Sequence, residues 1–409
     1  MSSSSRRSVL ELSPVLIPYV LGFFIFRGFF SNFPLYLQLK FNLTDVEAVQ
    51  RWGEIGSVAF FFGAISRLPA GLISDKLGRI RAFALAYSVY ILSLLLIYFT
   101  EINITYMIAL SSIRFGVNMF AMTGRAIVST SKRDKGLKNG LLSAMVGLGS
   151  FSGPFLFAFT LDHFPPNTIV LVGLLLVIVD ILIFFGALKF VPKLFQKYYP
   201  KDVMEVDLSG VSEFKHKELL SAIKLPGIIS GFILFASAGL IYGLVDSVYS
   251  IYGYNVIGLN LSLVGLIAGS GSLVQVIWAP IVGKLYEHIR DDTMRVLGWT
   301  ISVLATIFIS LSHFSLVFFI LGFFVLSFGN STYFTMEITR IGRVVKKSQF
   351  SFIFGITASM SILGTAIASY IAPYFYAITP EGSFIATLLF SIPSLLFSLG
   401  IWYFHRTHQ

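Results

Sequence analysis

Twelve apolar runs follow one another along the chain, near residues 14–38, 52–72, 82–100, 105–126, 140–161, 167–190, 225–253, 262–283, 294–313, 315–337, 350–373 and 383–404. A helix needs roughly 20 residues to cross a hydrocarbon layer of about 30 Å, and every run approaches or exceeds that length. Lipid offers no partner to backbone N–H and C=O groups, so such runs must bond internally as helices. The composition agrees, with 56% of the 409 residues hydrophobic and only 12% charged. Soluble domains carry about twice that charge. The expected fold class is an all-α membrane protein with twelve transmembrane helices. The leading MSSSSRRS enters an apolar run too long for a signal peptide and without a small-residue cleavage site, so this run is expected to stay as a helix.

The position of the charge gives an orientation. Of the 30 Lys and Arg, 25 fall at the two ends of the chain and in the even-numbered connections. Lys40 and Arg51 flank the first odd-numbered connection, and Arg27, Arg67 and Arg114 lie inside helices. Basic residues collect on the cytoplasmic side of membrane proteins, so both termini are expected there, in a multi-pass protein of the cell membrane. The pI near 9.6 therefore reflects membrane topology. The basic residues are scattered and not interleaved with aromatics, which argues against a nucleic-acid partner. With no cysteine, the chain has no disulfide, thiolate nucleophile or cysteine metal site.

Val191–Lys224 is the longest polar segment and reads as a cytoplasmic linker. It divides the chain into an N-terminal six-helix bundle (1–190), the linker (191–224) and a C-terminal six-helix bundle (225–409). The halves echo each other. Phe41-Asn42-Leu43-Thr44 leads to the second helix and Leu259-Asn260-Leu261-Ser262 to the eighth. Gly71-xxx-Asp75 and Gly283-xxx-Glu287 are 212 residues apart, as are Asn118 and Asn330, while Lys132 and Lys346 are 214 apart. A nearly constant offset predicts a duplicated six-helix unit, as in many secondary transporters.

Between helices 2 and 3 the chain reads Gly71-Leu-Ile-Ser-Asp75-Lys76-Leu-Gly78-Arg79-Ile-Arg81. Such a loop also fits a plain basic turn at the membrane surface. Its spacing, G-x-x-x-D-K-x-G-R-x-R, resembles the loop signature of the major facilitator superfamily, with a degenerate copy at Gly283-xxx-Glu287 where that family has its second. Arg67-Leu68-Pro69-Ala70 is similar to the lead-in of efflux members. Leu110-xxx-Arg114 on helix 4 is similar to a motif of proton-coupled members, although the glycine comes early, at Gly116. Gly149-xxx-Gly153-Pro154 on helix 5 is similar to an antiporter motif, but Phe157-Ala158 stands where the family has its closing pair. The resemblance implies the twelve-helix fold of two pseudo-symmetric bundles and proton antiport, and the departures leave the direction of transport open. The same glycines, four apart, also suit close helix packing. In the loop, Gly71, Asp75, Lys76, Gly78 and Arg79 are expected to form a conformational latch, with Arg125 at the end of helix 4 as partner to Asp75.

Ionisable groups within the hydrocarbon layer are costly and normally face a cavity or a partner. Arg27, Arg114, Asn118, Asp246 and Asn330 lie on helices 1, 4, 7 and 10, which line the central cavity in the family resembled; these five are the expected substrate-binding residues. Asp246 is the first candidate proton carrier, Asp180 on helix 6 the second, and Arg114 a candidate for coupling. Structural ion pairing is the competing reading for each, and for Asp180 the favoured one. The 42 phenylalanines are expected mostly to face lipid. Neither a phosphate-binding loop nor a metal-binding His spacing occurs, so no cofactor or metal is expected.

These features point to a secondary active transporter moving a small solute, with protons and membrane lipids as its other partners and a monomer as the working unit. Two arginines near the midplane suggest an organic anion. The competing readings are a broad-specificity drug or metabolite efflux antiporter, a membrane enzyme and a non-transporting sensor. An enzyme would need clustered His, Asp or Ser at one membrane face, and a sensor an output domain larger than residues 191–224.

Overall fold

In the computed structural model, which describes residues 3–129, 135–190, 226–285, 288–344 and 347–407, all twelve apolar runs form helices long and apolar enough to span a membrane. They are α1 (Ser3–Phe41), α2 (Asp45–Leu77), α3 (Arg79–Phe99), α4 (Asn103–Ser129), α5 (Lys135–His163) and α6 (Thr168–Phe190). The second set is α7 (Pro226–Ile251), α8 (Leu261–Leu285), α9 (Asp291–Ser310), α10 (Leu316–Val344), α11 (Lys347–Ile378) and α12 (Leu388–Thr407). A π-helical turn, Tyr252–Val256, extends α7, and a short helix, Gly382–Ala386, leads into α12. The linker 191–224 lies outside the described residues, as do Lys132, Arg133, Glu287 and Lys346.

The echo between the halves is visible in how α2 and α8 begin. Before α2, Asn42 takes φ 52, a left-handed conformation that asparagine tolerates better than most residues. Thr44 then caps the helix, accepting from the Glu47 amide at 3.3 Å while Glu47 accepts from the Thr44 amide at 2.9 Å. Before α8, Gly258 takes the positive φ, at 76, and Asn260 accepts from the Leu263 amide at 2.8 Å. Prolines recur too: Pro69 in α2 with Pro280 in α8, and Pro154 in α5 with Pro373 in α11. Each removes one helical hydrogen bond, and these four helices make the most extensive contacts between the halves.

Two seams carry that junction: α5 lies along α8, and α2 along α11. At the face opposite the chain termini the seams close with polar clasps. Asp162 of α5 accepts from the Ser262 hydroxyl of α8 at 2.7 Å, and Asp45 of α2 accepts from the Tyr376 hydroxyl of α11 at 3.2 Å. Asn255 donates to the Gln38 amide oxygen at 3.2 Å. Within the first half, Gly149 and Gly153 of α5 lie directly against the α1 backbone at Val20 and Phe24, where a Cβ would clash. The antiporter-like motif therefore serves close packing here.

Burial sorts the helices. The α1 span is 72% buried, those of α6 and α12 only 33%, so α1 is central and α6 and α12 are peripheral. Leu175 and Leu182 on α6 and Leu396 on α12 form part of the outer apolar surface. The expectation that phenylalanine mostly faces lipid fails on α1, which buries Phe24, Phe26, Phe29, Phe30 and Phe33. Their rings pack edge-on or tilted with one another, Trp52, Phe60 and Phe157, because α1 is enclosed by α2, α4, α5, α6 and α7.

Gly78 makes the turn between α2 and α3 with φ 80 and ψ 154, a region that only glycine enters readily. Gly78→Ala should cost about 1–3 kcal/mol through backbone strain, read as a lower thermal unfolding midpoint of the purified protein. An unchanged midpoint would show that the turn accommodates a side chain.

Candidate functional site

Near the middle of α1, Arg27 turns toward α7 and meets Asp246 at 3.4 Å, with only 14% and 9% of the two side chains exposed. Arg27 also donates to the Tyr242 hydroxyl, and its guanidinium lies 5.4 Å from the centre of that ring. One turn beyond Asp246, the Tyr249 hydroxyl donates to the Ser31 carbonyl of α1 at 3.2 Å. Residues 242, 246 and 249 share one face of α7, as their spacing requires. Thus one helix of each half contributes to a single polar junction. Two charges 3.4 Å apart attract by about 5 kcal/mol at an effective dielectric of 20.

The pair lines a cavity of about 30 Å³. Tyr242, Tyr249, Gln275 and Ser327 add polar groups, and Phe323 and Leu326 add apolar walls. The cavity therefore touches α1, α7, α8 and α10. A guanidinium can bind a carboxylate or phosphate in bidentate fashion, and here it faces a carboxylate that can carry a proton.

Arg114 has a different environment. Its guanidinium carbon lies 4.3 Å from the ring centres of Phe26 and Phe60 and 5.4 Å from that of Phe30. Its Nε is buried without a hydrogen-bond acceptor. The rings offer their negative faces to the cation, so Arg114 is held by quadrupoles, while Arg27 is held by a formal charge. Asn118, one turn away, donates to the Gly63 carbonyl at 2.8 Å and to the Ser66 hydroxyl at 3.2 Å. These bonds tie α4 to α2, a packing role that its spacing from Arg114 did not indicate.

Asp180 on α6 is 1% exposed. It accepts from the Tyr87 hydroxyl of α3 at 2.9 Å, while its other carboxyl oxygen has no hydrogen-bond partner. It lies between α6 and α3, on the far side of the first half from the Arg27 cavity. Asn330 lines a smaller cavity between α7, α9 and α10, together with Tyr242, Trp299 and Tyr333. Gly71 lies within α2, nearly two turns before its end, and Gly78 is the turn itself. The side chains of Asp75, Lys76, Arg79 and Arg125, and thus the contacts of the latch, lie outside the described residues.

Two groups escaped the sequence reading. Tyr242 and Tyr249 flank Asp246 at helical spacing, and that spacing would have shown them. The second is a buried charge cluster near the termini face. Glu337 of α10, fully buried, accepts from Arg295 Nε of α9 at 2.9 Å and from Arg340 Nε at 3.0 Å. Arg340 also donates to the Gly227 carbonyl of α7. The cluster ties α7, α9 and α10 together. The apolar run was drawn to end at Glu337 itself, which disguised this residue as an interfacial acid.

Twelve spanning helices enclosing a central polar cavity, with an ion pair between the halves, define the fold of a secondary transporter. A solved D-xylose–proton symporter superposes with a TM-score of 0.75 over 96% of this chain and 97% of its own, at 13% identity. A POT family transporter solved with 5-aminolevulinic acid superposes with a TM-score of 0.71 over 96% and 95%, at 16% identity. The family model for the Major Facilitator Superfamily matches residues 16–336, and the chain belongs to that family. It is also 24% identical over 282 residues to the multidrug resistance protein MdtG of Salmonella arizonae, a match covering 67% of this chain and 66% of that protein. The chain is therefore a multi-pass membrane transporter.

Removing one member of a buried ion pair strands the other, at a cost of about 3–5 kcal/mol. Arg27→Met and Asp246→Leu should each lower the thermal midpoint markedly, while the double variant should recover most of the loss. A double variant as unstable as the sum of the singles would show that the two residues do not interact.

Proposed function

We propose that this transporter moves a small organic anion, a carboxylate or phosphate ester, by alternating access, coupled to protons through the Arg27–Asp246 pair. The ion pair between the halves, set in the wall of the cavity, carries the reading. With Asp246 ionised, Arg27 is neutralised internally and the pair helps to hold α1 against α7. Protonation of Asp246 removes that partner, and Arg27 is then free to bind the anion. Proton and solute thus favour each other's binding, and linkage requires the effect to be reciprocal. Positive coupling of this kind suits movement of both in one direction. Arg114, caged nearby on α4, adds positive potential to the first half. Asn330 would contact the solute from the second half, and Asp180 is the reserve proton carrier.

The rest of the reading concerns orientation and motion. The basic termini face is taken as cytoplasmic, in the cell membrane, with residues 1–190 and 225–409 rocking as two bundles about the seams and 191–224 as their tether. Asp75, with Arg125, would latch the cytoplasmic side in one of the two states, and the clasps at Asp45 and Asp162 the opposite side in the other. A monomer suffices, because the cavity is complete within one chain. A second reading, proton-driven efflux of drugs or metabolites, is supported by the relative named for multidrug resistance and by the aromatic residues around the cavity.

The test is transport by purified protein in proteoliposomes, with panels of carboxylates, phosphate esters and apolar cations and an imposed pH gradient. Asp246→Asn should still exchange solute across the membrane but lose accumulation driven by the gradient. Arg27→Lys keeps the charge and loses the planar fork, and should weaken anion binding roughly ten-fold. Full gradient dependence in Asp246→Asn would remove this residue as proton carrier. Transport of apolar cations alone would favour the efflux reading.

A further inference from the structure

Away from the central cavity, one carboxylate points outward from the membrane-spanning surface. Glu54 is exposed on α2, nine residues in from the helix start at Asp45, which is about 14 Å along the axis. Val58, Phe61 and Ile65 follow on the same face and are also exposed, so this face of α2 meets lipid. Among the described residues, no basic side chain pairs with Glu54. Arg51, one turn nearer the helix start, instead donates to the Asn103 side chain and the Glu101 carbonyl. An ionised group on a lipid-facing surface needs a partner.

The other side of the seam adds polar groups at the same level. Gly53 packs so closely on α11 that a Cβ would lie 2.6 Å from the Pro373 ring and 2.9 Å from the Ser369 carbonyl oxygen. Glu54 therefore stands beside Tyr370 and Tyr374, the next residues along α11, which are 53% and 62% exposed. The Tyr374 hydroxyl lies within electrostatic reach of Glu54, and the two phenol rings are 6.0 Å apart. Ile378, one turn farther out on α11, is 76% exposed, so the apolar surface continues past the carboxylate. This is the depth at which tyrosines place the ring in lipid and the hydroxyl among head groups. We propose that this edge of the α2–α11 seam binds a phospholipid with a primary ammonium head group, phosphatidylethanolamine, in the leaflet opposite the termini. Charge complementarity selects it. An ammonium brings three N–H donors to a carboxylate that only accepts, whereas a choline head group has the same charge and no donor. The Tyr370 and Tyr374 hydroxyls donate to the phosphate, and an acyl chain lies along Val58, Phe61 and Ile65. The lipid thus touches both halves at once, on a seam about which they are proposed to rock.

Native mass spectrometry of the purified protein tests this, with phosphatidylethanolamine and phosphatidylcholine of identical acyl chains as probes. The wild type should bind the ethanolamine lipid about five-fold more tightly, and stepwise N-methylation of the head group should erase the preference. Glu54→Gln keeps the shape and loses the charge, and should bring the two affinities together. Tyr374→Phe removes a donor to the phosphate that both lipids share, so it should weaken both and leave their ratio near the wild-type value. The ratio of two lipids on one variant does not depend on how stable that variant is. Equal affinities in the wild type overturn the site. A preference that survives in Glu54→Gln places the ammonium elsewhere on the protein and overturns it too. Tighter binding of phosphatidylglycerol than of either zwitterionic lipid would show that basic residues govern lipid binding, with the same consequence. No solute takes part in the measurement, so its outcome is separate from that of the anion reading.

Discussion

Charge cannot stand alone in a hydrocarbon layer, and the arrangement of this molecule around its centre follows from that constraint. Arg27 and Asp246 belong to different halves and neutralise each other across the space between them. A pair within one half would add rigidity to that half alone. A pair between halves ties their relative position to the attraction between two opposite charges. The attraction is short-ranged in effect, since it must offset the desolvation of both groups, so a small separation of α1 from α7 would forfeit most of it. Tyr242 and Tyr249 supply the remaining hydrogen bonds from the same face of α7, which lets the junction remain polar inside an otherwise apolar interface.

The seams provide the complementary property, contact without permanent attachment. The clasps at Asp162–Ser262 and Asp45–Tyr376 each consist of a carboxylate accepting from a hydroxyl on the opposite half. The Asp162–Ser262 bond is exposed and the Asp45–Tyr376 bond part-buried, and an exposed bond of this kind contributes little net stability. The buried Arg295–Glu337–Arg340 cluster is different, because all its members lie within the second half. Breaking it would strand charges in the interior. The protein therefore places its buried ion pairs inside a half or at the Arg27–Asp246 junction, and it joins the seams with hydrogen bonds between neutral and charged groups.

Much of this was legible in the sequence, and for identifiable reasons. Helices were readable because lipid imposes a length and a hydropathy on each span, and all twelve runs reappear as spans. The sequence echo set Asn42 against Asn260 and Thr44 against Ser262, whereas the residues that cap α2 and α8 are Thr44 and Asn260. The candidate ion pair was readable because charged residues within apolar runs are few, so Arg27 and Asp246 stood out individually. Partner choice was not readable. Asn118 and Asn330 sit at equivalent places in the repeat, yet one bonds to a neighbouring helix and the other lines a cavity. Sequence periodicity gives the face of a helix and not the distance to whatever lies opposite.

The two midplane arginines show how environment separates residues of the same type. Arg27 has a carboxylate to balance it, so its availability changes when that carboxylate is protonated. Arg114 has the faces of Phe26 and Phe60 instead, and aromatic quadrupoles do not titrate. Under the proposed mechanism, Arg114 serves affinity and Arg27 serves coupling. One arginine could not do both. If it were always paired it would not attract the anion, and if it were never paired its binding would not respond to the proton.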